Sequence, residues 1–219
     1  MKLIAPLLFL VMSCLSLKAQ ESDSTTTRVN NLPNGLVEKS TRLKSNRNIR
    51  NGFAEISTAD NGEIVAQGHY QADQRTGTWK FFKYGRLEQV YDYSQKKVIA
   101  VAADPSLTAM FDGNSSNQAH PAVRIGGTAY GFAAYLNYLT HMTKFVEGNY
   151  TIYFNMDIDN AGKLTKLSAK IVSAKMDKTI DLNIHKLESE DLEFIPAEFN
   201  GVRLNSHLVY KMPYKFWYK

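Results

Sequence analysis

The sequence predicts an α+β protein: an antiparallel β meander followed by a domain in which two helices pack on a three-stranded antiparallel sheet. Three observations predict it. From Asn51 to about Val98, short alternating runs are separated by glycine-bearing turns. After Thr128, apolar residues recur at intervals of three and four. From Gly148, strict alternation places Tyr150, Ile152, Phe154, Met156 and Ile158 on one side of a strand, against Thr151, Tyr153, Asn155 and Asp157 on the other.

Residues 1–19 read as an export segment. Lys2 supplies the positive start, Leu3 to Leu17 the apolar centre, and Leu17-Lys18-Ala19 a cleavage site before Gln20. The apolar run is interrupted by Pro6, Ser13 and Ser16 and is shorter than the roughly 20 residues of a membrane span. Cleavage after Ala19 is the expectation; a retained anchor, or acylation of Cys14 within Val11-Met12-Ser13-Cys14, are the alternatives. The expected location is therefore outside the cytoplasm, in the periplasm or at the outer membrane. Cys14 is the one cysteine, so the cleaved chain has no disulfide or thiol chemistry.

The whole chain carries a formal charge of +5, and removing Lys2 and Lys18 leaves 24 basic against 21 acidic residues, or +3. That excess is too small and scattered for a nucleic-acid surface. With 44% hydrophobic and 11% aromatic residues, the chain has enough apolar material for a sizeable core.

Residues 20–50 are polar and read as a loosely ordered leader. The meander occupies 51–99, with Asn61-Gly62, Thr76-Gly77 and Tyr84-Gly85 as turns and Trp79 and Tyr70 on one face. Asp104-Pro105 and Asp112-Gly113 make 100–119 a linker. In 120–219, Thr128 is expected to cap a helix to about Met142, with Phe132, Tyr135, Leu136, Leu139 and Met142 as its stripe. The strand from Gly148 ends at the turn Asp159-Asn160-Ala161-Gly162. A second strand runs from Lys163 to about Ser173, and a change of phase between Leu164 and Leu167 leaves two readings, a bulge or a register the pattern does not fix. Asp177 is expected to cap a second helix along Ile180, Ile184 and Leu187, and Arg203 to Trp217 to form the last strand.

Reactive constellations are scarce. His69, His120, His141, His185 and His207 show no pair at metal-ligand spacing. Glu188, Glu190, Asp191 and Glu193 lack the glycine and alternating oxygens of a calcium loop. Gly126-Gly127 is not followed by the Lys-Ser/Thr of a phosphate-binding loop. No catalytic residue, metal ligand or cofactor is predicted.

Two resemblances sharpen this reading. Gly68-His69-Tyr70, Gly77-Thr78-Trp79 and Gly85-Arg86-Leu87 ahead of Tyr91-Asp92-Tyr93 resemble the hairpin repeat of MORN-type and YwqK-type antitoxin-like proteins. Pro121 to Gly127, Tyr135-Leu136, the Tyr150–Leu164 hairpin and Phe194-Ile195-Pro196-Ala197 before Asn200-Gly201 resemble the TonB carboxy-terminal domain family. Phe194 stands where that family has Trp, and with six prolines in the whole chain there is no Pro-rich spacer.

The second resemblance implies an exported, non-enzymatic interaction module of the bacterial cell envelope that captures an extended peptide or envelope protein by strand addition. The expected partner-binding residues lie on the last strand: Arg203, Asn205, His207, Val209, Lys211, Tyr214 and Phe216. The alternative is a glycan or small-ligand binder, or a hydrolase, with an aromatic pocket between the two halves lined by Trp79, Tyr91 and the final aromatics.

Overall fold

The computed structural model describes residues 24–32, 35–111, 120–187 and 192–217. The export segment, residues 112–119 of the expected linker, and Glu188, Glu190 and Asp191 lie outside the described residues.

Seven strands follow one another through the amino-terminal half: β1 (Thr25–Asn31), β2 (Leu36–Leu43), β3 (Arg50–Thr58), β4 (Ile64–Gln71), β5 (Gln74–Lys83), β6 (Arg86–Asp92) and β7 (Lys97–Val101). They form one antiparallel sheet whose order in space is the order of the chain. The leader is thus corrected: from Thr25 it supplies β1 and β2. Polar and hydroxyl-rich as it is, β2 buries Leu36, Glu38, Ser40 and Arg42 on one side. Glu38 accepts hydrogen bonds from Ser40 (2.8 Å), Arg50 (3.0 Å) and the Tyr70 hydroxyl (3.2 Å). Apolar periodicity misses such a strand because most of its inward face is a buried polar network centred on the Glu38 carboxylate.

Trp79 organises the rest of this sheet's core. Its indole is fully buried and lies flat over Gly68, where an added Cβ would come within 2.4 Å of the ring. Tyr70 meets it edge-on at 5.1 Å, and its N–H donates to the His69 carbonyl at 3.0 Å. One expected turn is kept and one is moved. Tyr84-Gly85 is the β5–β6 turn, but Ala72-Asp73 makes the β4–β5 turn, and Gly77 (φ +57) sits in a bulge within β5.

The carboxy-terminal half overturns the predicted fold class. The remaining strands are β8 (Leu107–Phe111), β9 (Val123–Arg124), β10 (Gly148–Ile158), β11 (Leu164–Ser173), β12 (Met176–Leu182), β13 (Phe194–Ile195), β14 (Ala197–Phe199), β15 (Val202–Leu204) and β16 (Ser206–Phe216). One α-helix, α1 (Ala133–Met142), and a single 3-10 turn (Ile184–Lys186) accompany them among the described residues. The protein is mostly β, with a five-stranded antiparallel sheet in the order β12-β11-β10-β16-β8 in place of two helices on three strands.

The expected second helix is β12, in register with β11 from Leu167 opposite Leu182 to Ser173 opposite Met176. Ile180, Ile184 and Leu187 satisfy a helical spacing, but β-branched Thr179 and Ile180 and a two-residue turn at Ala174-Lys175 favour a hairpin, which gives every β12 residue a partner on β11. β8, within the expected linker, becomes the fifth strand by pairing with β16.

Elsewhere the pattern and the structure coincide. In β10, Tyr150, Ile152, Phe154, Met156 and Ile158 are all buried. The phase change in β11 is a bulge: Asp157 faces Lys166 while Ile158 faces Leu164, leaving Thr165 unpaired between them. α1 seats Phe132, Tyr135 and Leu139 on this core, with Phe132 at 4.3 Å from Tyr210. Its first helical residue is Ala133 rather than the one after Thr128, and Met142 is half exposed.

Thr128 is used differently, as part of a buried polar latch between the two sheets. The β5–β6 register slips between Phe81 and Phe82, so both Glu88 and Gln89 are buried. Gln89 accepts from the Gly126 (2.8 Å) and Gly127 (3.2 Å) amides and donates to the Arg124 carbonyl (2.9 Å). Glu88 accepts from the Thr128 amide at 2.8 Å and also from its hydroxyl. Gly127 (φ +66) is required there, since a Cβ would fall 2.6 Å from the Glu88 carboxylate. Tyr130 then stacks on Phe81 at 5.8 Å, seating the segment ahead of α1 on the first core.

Candidate functional site

The structure distributes the predicted strand-addition residues over four settings. Arg203 lies on β15, opposite Glu198 of β14. Asn205 is in the connection to β16, where its side-chain oxygen accepts from the Asn160 amide at 2.9 Å. His207 and Val209 are on β16 but face Met110 and Thr108 of β8, and the His207 ring lies 2.6 Å from Asp157. Over Ser206–Tyr210 the expected docking edge is therefore an inner strand, covered by the chain itself.

Beyond Tyr210 no further strand lies alongside β16 on that side among the described residues. The Lys211 amide donates to the Ser106 carbonyl at 2.8 Å, so alternate residues counted from Lys211 direct their amides away from β10. The next is Pro213, which has no N–H to offer. Its position explains how an eleven-residue strand tolerates proline, because the ladder to β10 loses nothing. With Lys211 and Lys215 exposed on either side, this rim carries the proline and charge that keep a sheet edge from pairing. Tyr214 and Phe216 turn to the other face and pack on Phe145, at 5.1 and 6.0 Å.

Pro213 and Tyr214 also border a cleft of about 640 Å3 between the seven-stranded sheet and the α1–β16 side of the second. Such a volume is within the range of small-molecule sites. One wall is apolar: Phe132, Ala133 and Leu136 from α1 with Met212 and Pro213 from β16. The opposite wall comes from three hairpin ends of the first sheet: Leu36, the β3–β4 turn with Asp60 and Glu63, and the β5–β6 turn with Lys83 and Tyr84. Tyr210 and Tyr214 stand between the walls.

Tyr84 is set there by its turn. Tyr84 (φ +51) and Gly85 (φ +69) both adopt left-handed backbone, the signature of a two-residue type I′ hairpin. Glycine, asparagine or aspartate usually takes the first of these places; tyrosine there costs about 1–2 kcal/mol. The turn points the ring into solvent, leaving it 75% exposed, while Glu63 accepts the Gly85 amide at 2.8 Å and ties the neighbouring hairpin to it.

The polar end of the cleft is a compact set of charges. The Lys83 ammonium lies 2.6 Å from Asp104, 5.3 Å from the Tyr210 ring centre and 5.8 Å from that of Tyr84. Burial works against its charge, but Asp104 outweighs this and holds the lysine above its ordinary value. Burial alone would raise the Asp104 carboxyl, yet the bonds from Lys83 and from the Ser106 amide (2.8 Å) hold it below the usual range. Burial pushes the Tyr210 hydroxyl up against the pull of Lys83, so it remains a neutral phenol, able to donate, at neutral pH.

Trp79 and Tyr91, expected to line a pocket between the halves, instead lie buried in the first core. Tyr210 and Tyr214 do face the cleft, whereas Tyr84, Lys83, Phe132 and Leu136 were not foreseen there. The one sequence signal, for Tyr84, was its place ahead of Gly85 in an expected turn. Among the described residues, no helix is long and apolar enough to cross a membrane. No protein-family model, curated protein or solved structure matches the chain.

Proposed function

We propose that this is an exported, non-catalytic binding protein whose ligand, an amphipathic small molecule, occupies the cleft between the two sheets. The observation that carries the reading is Tyr84: a strained backbone holds a large aromatic ring in solvent at the mouth of an apolar cleft, where asparagine or glycine would make a more stable turn. Strand addition along β16 has less support, since β8 occupies half of that strand and Pro213 blunts the remainder. Export is part of the proposal and rests on Lys2 to Ala19.

The test is a 1H–15N NMR titration with octyl glucoside below its micelle concentration. Shifts are expected at Tyr84, Gly85, Ala133, Leu136, Asn137 and Met212. Asn137→Trp, which fills the cleft from the half-buried outer face of α1, should abolish them. Shifts scattered over the surface, or unchanged in that variant, overturn the reading. Tyr84→Asn should weaken binding while raising stability by about 1 kcal/mol, the left-handed strain released; unchanged affinity removes Tyr84 from the site.

A further inference from the structure

We infer that the cleft selects a positively charged head group: its ligand is a cationic amphiphile, with an amine or quaternary ammonium on an apolar body. The inference rests on the reading of the cleft as a binding site. The first support is charge. Among the described residues, the charged side chains lining the cleft are Asp60 and Glu63 against Lys83, and the lysine is already neutralised by Asp104 at 2.6 Å. Glu88, bound to Thr128, adds a further carboxylate behind the same wall. The protein as a whole is basic, so an acidic cleft in it runs against the general field.

The second support is the aromatic lining. An ammonium is favoured over the faces of tyrosine rings in a partly dry site. The cleft already shows this arrangement once, in Lys83 placed between Tyr84 and Tyr210 with a carboxylate beside it. Tyr84, three-quarters exposed, keeps ring surface for a second cation, and Tyr214 lines the same space. An anionic head group would meet Asp60 and Glu63 with no unpaired cation lining the cleft among the described residues. The apolar chain of the ligand fits along Phe132, Ala133, Leu136 and Met212.

The experiment compares three ten-carbon probes below their micelle concentrations on the full chain: decyltrimethylammonium, sodium decanoate and neutral decyl maltoside, followed by calorimetry and by amide shifts at the cleft. Decyltrimethylammonium should bind about tenfold more tightly than decanoate at low salt, with the neutral probe between them, and the gap should shrink as ionic strength rises. The double variant Asp60→Asn with Glu63→Gln keeps oxygen acceptors for the Asn61 and Gly85 amides and should bring the two charged probes close to equal affinity. Decanoate binding as tightly as the cation, or a preference unaltered in the double variant, overturns the inference while leaving the cleft as a site for neutral or anionic ligands. If none of the probes shifts cleft amides, the binding reading itself falls and this inference with it.

Discussion

In the seven-stranded sheet each strand pairs with its neighbours in the chain, so every contact is closed by a short turn. In the five-stranded sheet, Leu208 of β16 meets Met156 on one side and Ala109 on the other, residues far apart from it and from each other. Closing a long loop costs more conformational entropy than closing a hairpin, and it must be offset by the contacts made at its end. The difference teaches where sequence patterns can be trusted: local pairing leaves its mark in turn residues, whereas the insertion of β16 between β10 and β8 leaves none. The latch of Glu88 and Gln89 then makes the second sheet dependent on the first.

The strongest way to break this comparison is to hollow out each core in turn. Trp79→Ala in the first and Phe154→Ala in the second, both fully buried, should each cost about 3–5 kcal/mol. Because the latch and the Phe81–Tyr130 stack couple the sheets, each variant should lower a single calorimetric transition; two separate transitions in either would show the sheets to be independent.

A milder change targets the coupling. Glu88→Ala strips the Thr128 amide of its buried acceptor and leaves the hydroxyl only Asp104 at 3.2 Å, which should cost about 1–3 kcal/mol in urea unfolding. Hydrogen exchange should accelerate at the Thr128 amide while Trp79 and its neighbours stay protected. Gly68→Ala sharpens the picture within the first sheet, where a methyl driven into the indole should cost about 1–3 kcal/mol by overpacking.

The smallest effect is a pH dependence at the polar end of the cleft. The folded protein holds the Asp104 carboxyl below its ordinary value, so the unfolded chain takes up the proton more readily. The stability this supplies is complete above the unfolded value of about 4 and is lost as pH falls through the lower folded value. Asp104→Asn should flatten the acid limb of the stability curve; an unchanged limb would place the acid sensitivity elsewhere, with Asp73, held low by Arg50, the next group to examine.

Much of the candidate site lay beyond what pattern reading can reach. The Tyr84-Gly85 turn and the aromatic final strand were visible, because turn chemistry and alternation are local. That Tyr84 faces Phe132 and Met212 across a cleft was not, since those residues belong to different sheets and meet through the latch. Thr128 shows why a local rule can mislead. A threonine ahead of an apolar stripe reads as a helix cap, but a β-bulge forty residues earlier brings Glu88 to it, and the helix starts five residues later.

By itself the sequence determined the strands β3 to β6, the buried face of β10, a change of phase in β11 and the Tyr84-Gly85 turn, because alternation and glycine placement act within a few residues. Only the tertiary structure decided that residues 176–182 are a strand, that Leu107–Phe111 close over β16, and that a cleft opens between the sheets. Those outcomes depend on which distant partner satisfies a backbone edge or a buried carboxylate, and such partnerships are set by the free energy of the assembled whole rather than by any one stretch of chain.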